Sequence, residues 1–432
     1  MATEFNHGVR VIDAGSSSRP LEVADGSTIG LNFIDPTADN TLFPMDEPVL
    51  FYSHEVDKVT KLGTTPGNLA VDQVNAAKAQ GIEVCIVAAR VAHSVKTDPV
   101  QKAEEELARL VGSAGQMTGA HALSYAEGHV GRSVDIFTGG ARSAGRVSDA
   151  KNPYADALDQ VSRKVKGVFV CDTGGPDAEA SLEYAADFSS RFGYLVDPFV
   201  RVQSGTSIIA KPASPFAAAM FAKRDKQKGG PYFSPSNQEV AGILGIARPV
   251  TYFDGEIEHE ANLLNKNGIA TFIPKRVIQQ SGGAFSANGR ILWGNRTTSA
   301  DPLWQFVNVV RTRATLEKAI VAGFRPWAND ENISAQHVIS VMRTLQDLID
   351  SMIDIGAILG GAVYFERSAN TNASIRLGKI RVEFDAEEAP PLEDLIFGSR
   401  RNEAYIDNLA ADIQRRVSVE FGGTIADYLA AA

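Results

Sequence analysis

The sequence predicts an α/β (α+β) chain of two domains with a detached extended segment at each end. Three observations carry that prediction. The chain has 432 residues, more than a single hydrophobic core usually accommodates. Between residues 25 and 245, apolar β-rich runs alternate with runs of helical period, the mark of a layered α/β unit. At each extremity an alternating apolar run stands beside small residues with no strand nearby to pair with.

The first element is FNHGVRVID, Phe5 to Asp13, which puts Phe5, His7, Val9 and Val11 on one face and is followed by the break AGSSSRP. A strand must pair its main-chain N–H and C=O groups. This one is therefore expected to pair in the other domain or in another molecule. Residues 1–22 form this arm and its linker, and a domain over 23–245 follows. Its strands are expected in STIGLNF, EPVLFYS, IEVCIVAARV, VDIFTGG, VFVCDTGG and YLVDPFVRV. Its helices are expected in GNLAVDQVNAAKAQG, DPVQKAEEELARLVG, ADALDQVSRKVKG and DAEASLEYAADFSSRFG. The basic, Gly/Pro-rich FAKRDKQKGGPYFSPSNQE predicts a surface loop that closes the domain.

A second domain is expected over 246–414. SAQHVISVMRTLQDLIDSMIDIG spaces Val338, Val341, Leu345, Leu348, Met352 and Ile355 three or four apart, with Arg343, Asp347, Asp350 and Asp354 between them, which predicts an amphipathic helix. Ser334 is its expected N-cap and Gly356 its stop. KIRVEFDAEEAPPLEDL then alternates Ile380, Val382 and Phe384 until Pro390 and Pro391 end the strand. After a helix over RRNEAYIDNLAADIQ, the tail 415–432 alternates Val417, Val419 and Phe421, a second stray strand.

Composition narrows the function classes. With 42 Lys and Arg against 52 Asp and Glu, the net charge is −10, which argues against direct nucleic-acid binding, since phosphate contacts need clustered cations. Cys85 and Cys171, the two cysteines, lie in apolar runs and are expected to be buried thiols without a disulfide. The start lacks a basic stretch followed by an apolar one, and the longest apolar run, IGAILGGAVYF, is too short to cross a bilayer, so no membrane insertion and folding in a cytosol are expected.

No catalytic, cofactor-binding or metal constellation is expected. CDTGG at Cys171 contains the Asp-Thr-Gly of aspartic proteases, but such enzymes need a second copy. A strand end with Asp177 opening a helix is the plainer reading. GTTPGN and SGGAFSANG lack the Lys and hydroxyl of a phosphate-binding loop, the seven histidines have no ligand spacing, and GAHALSYAEG lacks a nucleophile elbow.

The stretch Gly289 to Arg313, GRILWGNRTTSADPLWQFVNVVRTR, is rich in Trp and Arg yet holds no catalytic set. With LNKNGIATFIP before it and GKIRVEFDAEEAPPLEDL after it, the order resembles the C-terminal half of contractile phage tail sheath proteins, a family also used by R-type bacteriocins. Trp293, Gly294, Arg296, Thr297, Ser299, Asp301, Pro302, Val307, Asn308, Val309 and Arg311 match the family pattern, in which VNV is a strand. The N-terminal run to Leu31 and the PFAAAM to VTYF junction are also similar, whereas the region from 110 to 230 matches only in its α/β rhythm.

The resemblance implies an inner conserved domain over 246–414, an outer α/β domain over 23–245, and two strand arms that add to neighbouring copies. On that basis the arm residues are Phe5, His7, Val9, Val11, Val417, Val419 and Phe421, and the acceptor strand holds Ile380, Val382 and Phe384. Trp293 and Trp304 are expected anchors, with Arg296, Arg311 and Arg313 fixing neighbouring strands, facing acidic partners or pairing within the chain. Arg400, Arg401, Arg415 and Arg416 are candidates for contact with a tail tube. The implied partners are a homo-oligomer of hexameric rings stacked in a helical sheath, a tail tube protein, and baseplate and tail terminator proteins, in a virion tail assembled in the bacterial cytoplasm. A reading of a different class, an α/β hydrolase-type enzyme, lacks an assembled triad or metal set in the sequence.

Overall fold

The computed structural model describes residues 27–278, 285–327 and 332–422. The expected N-terminal strand, with Phe5, His7, Val9 and Val11, lies outside the described residues. The chain divides into two units, Met1–Pro391 and Leu392–Ala432.

The first unit begins with β1 (Ile29–Phe33), β2 (Pro48–Tyr52), α1 (Val56–Val59), α2 (Leu69–Ala79), β3 (Cys85–Arg90), α3 (Pro99–Val111), α4 (Ala126–Val130) and β4 (Ile136–Thr138). It continues through α5 (Pro153–Val165), β5 (Val168–Asp172), α6 (Ala178–Ala186), β6 (Gly193–Val196), β7 (Val200–Ser204), β8 (Ser207–Lys211), α7 (Ser214–Lys228), β9 (Gln238–Val240) and β10 (Gly245–Ile246). Then come α8 (Glu260–Lys266), β11 (Ile269–Ile278), β12 (Phe285–Trp293), α9 (Val307–Phe324), α10 (Ala335–Asp354), β13 (Ile358–Tyr364), α11 (Asn372–Arg376) and β14 (Glu383–Glu388). Among the described residues of the second unit the regular element is α12 (Ala404–Phe421).

Among the described residues a nine-stranded sheet runs in the order β2-β3-β1-β4-β5-β6-β11-β12-β9. From β3 to β11 the neighbours are parallel, whereas β2, β12 and β9 pair antiparallel at the two sides. The parallel strands β1, β3, β4, β5 and β6 are buried along their whole length because both faces are covered. The side-chain period of two sorts them: Ile86, Ala88, Val168 and Val170 pack under α2 and α7, while Val87, Ala89, Phe169 and Cys171 pack under α5 and α6. Both cysteines are buried and stand outside any disulfide.

The helices begin where capping chemistry stands in the sequence. Asn68, Asp98, Asn152 and Asp177 each accept N–H bonds from the first turn of α2, α3, α5 and α6, and Pro99 and Pro153 open α3 and α5. Ser334 caps α10 by accepting from His337 N–H, and Gly356, at φ +73°, ends it.

Four expectations differ from the structure. The boundary at 245/246 is crossed by main-chain pairing, because β11 adds beside β6 and β10 beside β7. The first part of the expected loop, FAKRDKQK, is the second half of α7, whose alanines and phenylalanines pack on the sheet. The VNV segment is the first turn of α9, not a strand. Its Val307 packs in one core layer and Val310 in the other, while Leu316 and Ala319 pack farther along with Leu348, Met352, Ile358 and Ala386. This helix thereby ties the large sheet to the β13–β14 hairpin.

The fourth difference is at the C-terminus. Arg415 to Phe421, expected as a strand, continues α12. Two periods coexist there: Val417, Val419 and Phe421 alternate, but Tyr405, Leu409, Ile413 and Val417 recur every four residues. A helix satisfies its main-chain groups within the segment, and a strand requires a partner. In the single chain the helical period prevails.

Candidate functional site

The motif from Trp293 to Arg313 forms a framework. Gly294 sits at φ +146°, and a Cβ there would lie 2.7 Å from the Ala270 backbone, so close approach of β12 to β11 needs glycine. In the amide orientation that satisfies its neighbours, Asn265 donates to the carbonyls of Ile269 and Trp293, each at 2.9 Å, and accepts from Trp293 Nε1 at 3.1 Å. Arg296 bridges to Phe306. Between them, Thr297 N–H donates to Gln305 O and Thr297 Oγ1 to Trp304 O, both at 2.7 Å.

Asp301 caps the turn at Pro302 by accepting from Leu303 N–H at 3.0 Å, and the Arg191 guanidinium stacks over the Trp304 ring at 4.7 Å. Of the three arginines, Arg311 and Arg313 pair within the chain. Arg311 meets Asp225 of α7 in a buried two-pronged ion pair. Arg313 donates to Glu388 Oε1 at 2.5 Å and to Ala386 O at 2.6 Å on β14.

Asp172, from the CDTGG run, is fully buried and caps the start of α7, accepting from Ala213 N–H, Ser214 N–H and Ser214 Oγ. Burial raises its pKa to about 6 against the lowering effect of those bonds. Asp197 accepts from Thr173 Oγ1 at 2.6 Å and Ser181 Oγ at 2.9 Å and is paired with Arg248; burial raises its pKa as well. These two carboxylates knit strand ends to helix starts. A cavity of about 620 Å³ beyond β1 and β4 is lined by Asp72, Lys211, Glu106 and Arg142 among others. Four of its charges pair with each other, Lys211 with Asp72 at 2.9 Å and Arg142 with Glu106. Among the described residues no His, Cys, Asp and Glu group has the arrangement of a metal site, and no helix is long and apolar enough to cross a membrane.

The β13–β14 hairpin is a different kind of surface. Among the described residues these two strands pair antiparallel with each other and with no third strand. One face packs on α9 and α10 through Ile358 and Ala386, while Leu359 on β13 is 66% exposed. The expected acceptor strand is displaced: Phe384 lies in β14, but Ile380 and Val382 precede it. Asn370 holds that preceding segment, accepting from Arg381 N–H and donating to Arg381 O at 2.8 Å each. The alternation of Ile380, Val382 and Phe384 gave the right strand with a start three residues early.

Within the second unit α12 exposes Tyr405, Ile406, Leu409, Ile413 and Val417. Arg415 and Arg416 both pair with Asp412 on the same helix, and Arg400 and Arg401, in the segment before it, are exposed. What sequence reasoning missed is Gln346 on α10, which reaches the hairpin beside the expected Arg313 of α9; only α10's packing across β13 makes Gln346 meaningful.

Solved structures with this architecture define the class. The chain matches the sheath complex of an extracellular contractile injection system (PVC) in the contracted state, with a TM-score of 0.65 and 15% identity, covering 94% of this chain and 100% of that one. It also matches the helical sheath of the anti-feeding prophage in the contracted state, with a TM-score of 0.63 and 17% identity over 91% of this chain and 99% of that one. The fold is therefore that of contractile sheath subunits.

The sequence carries the assignment to the family. A prophage major tail sheath protein of Pseudomonas aeruginosa (strain UCBPP-PA14) is 30% identical over 90% of this chain and 95% of its own length. The tail sheath protein of Escherichia phage P2 is 26% identical over 95% of this chain and 99% of its own. The family model for the phage tail sheath protein central domain matches residues 115–280. The chain belongs to the phage tail sheath protein family, a family of structural proteins and not of enzymes. Similarity thus extends through the middle of the chain, beyond the two ends where the sequence motifs had placed it.

Proposed function

We propose that this sheath subunit polymerises as stacked hexameric rings around a tail tube and contracts to drive that tube through a host envelope for genome delivery. Subunits are joined by strand addition: the N-terminal segment with Phe5, His7, Val9 and Val11, and the C-terminal segment with Val417, Val419 and Phe421, add to the β13–β14 hairpin of neighbours. The observation that carries this reading is the hairpin itself, two strands on a helical support in a chain whose first residues alternate apolar and polar. Main-chain bonds give such a joint its strength, about 1 kcal/mol net for each, and alternate side chains set its register.

Head-to-tail joints of this kind do not close on themselves, so they generate a helical tube. Contraction is then a rigid-body change between two packings, with AGSSSRP and Gly422-Gly423 as hinges that let linked subunits swing. For the C-terminal arm the proposal requires the end of α12 to unwind when a partner strand is offered. Arg400, Arg401, Arg415 and Arg416 are the proposed tube contacts, and the tube protein, baseplate proteins and a tail terminator the partners. Assembly takes place in the host cytoplasm. The same geometry serves an R-type bacteriocin or another contractile injection system.

The test is removal of residues 1–15 from the full chain. The truncated protein should be a folded, soluble monomer that forms no cylinders by negative-stain microscopy under conditions where the intact protein does. Normal cylinders from the truncated chain would overturn the arm mechanism.

A further inference from the structure

The outer edge of β13 is occupied by a side chain in the place of a strand. Val363 N–H donates to Gln346 Oε1 at 3.1 Å, and Gln346 Nε2 donates to Gly361 O at 3.4 Å. One carboxamide therefore serves the N–H of one residue and the C=O of the residue two before it, flanking Ala362. That is the pattern made by the N–H and C=O of one residue in a strand lying parallel to β13.

Gln346 reaches the edge from α10, which packs against β13, and its Nε2 also donates to Asp350 Oδ1 at 2.8 Å. The β14 side differs. There Arg313 donates to Ala386 O and is clamped by Glu388, and a guanidinium has no acceptor with which to imitate a main chain.

We propose that Gln346 is a displaceable placeholder on the β13 edge, and that the occupant it stands in for is the Phe5–Asp13 segment of a second copy. The incoming main chain takes over Val363 N–H and Gly361 O, and the released carboxamide turns to Asp350 and solvent. This rests on the strand-addition reading above and adds which edge is used and what guards it. The Phe5–Asp13 segment suits the edge in two ways. It alternates apolar and polar residues, as a strand with one packed face must, and it brings Arg10 to an edge where the Asp350 carboxylate already holds Gln346.

The C-terminal alternative is less suited, because Arg415 to Phe421 already spend their main-chain bonds in α12. An unguarded edge pairs with any extended chain. Here a newcomer must first replace two existing bonds, so only a segment long enough to gain further ladder bonds wins.

The experiment compares assembly of the purified full-length protein with Gln346→Met, which keeps the side-chain volume and removes both bonds, and with Val363→Pro, which removes the outward N–H. Critical concentration is read by light scattering and negative-stain microscopy, with circular dichroism confirming that each monomer is folded. Gln346→Met should assemble at a critical concentration about fivefold lower, the factor set by one net hydrogen bond of ordinary strength. An unchanged or higher value overturns the placeholder. Val363→Pro should raise the critical concentration at least tenfold. If Val363→Pro is folded and assembles normally, strand addition at this edge is wrong altogether; if it is blocked while Gln346→Met is unchanged, strand addition survives and only the placeholder falls. Gln346→Met in the chain lacking residues 1–15 should not assemble, and assembly there would assign the edge to another segment.

Discussion

Arg311 on α9 grips Asp225 on α7 through both carboxylate oxygens, Nη1 to Oδ1 at 2.9 Å and Nη2 to Oδ2 at 2.6 Å. Both side chains are almost wholly removed from water, at 4% and 2% exposure, and the guanidinium also lies 5.0 Å from the Phe221 ring centre. A pair so placed fixes the helix that links the large sheet to the hairpin. Its value lies in specificity as much as strength, because desolvating two charges offsets much of their attraction.

Breaking that pair from one side leaves a buried charge without its counterion. Arg311→Ala and Asp225→Ala should each lower stability by about 3–5 kcal/mol, read from urea unfolding midpoints. The double substitution Arg311→Met with Asp225→Leu should recover most of that loss. Arg311→Lys should be intermediate, since an ammonium cannot reproduce the planar two-pronged contact.

Gly294→Ala should be folded poorly or not at all. The added carbon would sit 2.7 Å from Ala270 Cα at a φ of +146°, a conformation open to glycine alone. A loss of about 2–4 kcal/mol is expected from steric displacement and strain together, measured by thermal unfolding. A nearly unchanged midpoint would mean that β11 and β12 can part without cost.

The titration of Asp172 predicts a pH dependence of stability. Burial raises its folded-state pKa to about 6, so between about pH 4 and pH 6 the folded protein keeps a proton that the unfolded chain has released. Stability from this group is fully present below that window and is lost as pH rises through it. Asp172→Asn keeps the acceptor for the α7 amides and offers an N–H to Ser214 Oγ, so it should be more stable than the parent at pH 7.5 by about 1–3 kcal/mol. The same substitution should flatten the slope between pH 4 and 6.

Asp35 acts in the opposite direction. Burial pushes its pKa up, but bonds from Thr37, Thr65 and Asn68 outweigh that and hold it at about 2. It therefore adds stability above about pH 4 that disappears toward pH 2, and Asp35→Asn should lessen acid sensitivity in that lower window. Unfolding midpoints across pH 2–8 for the parent and both variants separate the two groups.

Reversing charge at Arg400, Arg401, Arg415 and Arg416 to Glu should weaken co-sedimentation with tail tubes by at least tenfold. The urea midpoint should move by less than about 1 kcal/mol, because exposed pairs such as Arg416 with Asp412 contribute little. Undiminished co-sedimentation would remove these residues from the tube contact.

The legible part of the fold was the part whose signals are local. Asp177 and Ser334 mark helix starts because the first turn of any helix leaves N–H groups in need of an acceptor. The apolar runs of β3 and β5 mark strands covered on both sides. The hairpin's β14 was visible, though its start was not: Ile380 and Val382 alternate as a strand would, yet Asn370 takes up the main chain of Arg381 between them. Gln346 carried no signal at all. An exposed-face glutamine on an amphipathic helix looks the same whether it meets water or a strand edge.

By itself the sequence determined the layered α/β architecture, the helix starts at Asp177 and Ser334, the burial of both thiols and, through the Trp293 to Arg311 motif, membership of the sheath family. Only the tertiary structure decided that VNV begins a helix, that Arg311 and Arg313 pair inside the chain, that one sheet runs across residue 245, and that the stretch ending at Phe421 is helical. The division has a physical cause. Periodicity and capping depend on neighbours within a turn or a strand, whereas ion pairs, sheet order and the choice between two coexisting periods depend on which distant groups the packed chain brings within a few ångströms.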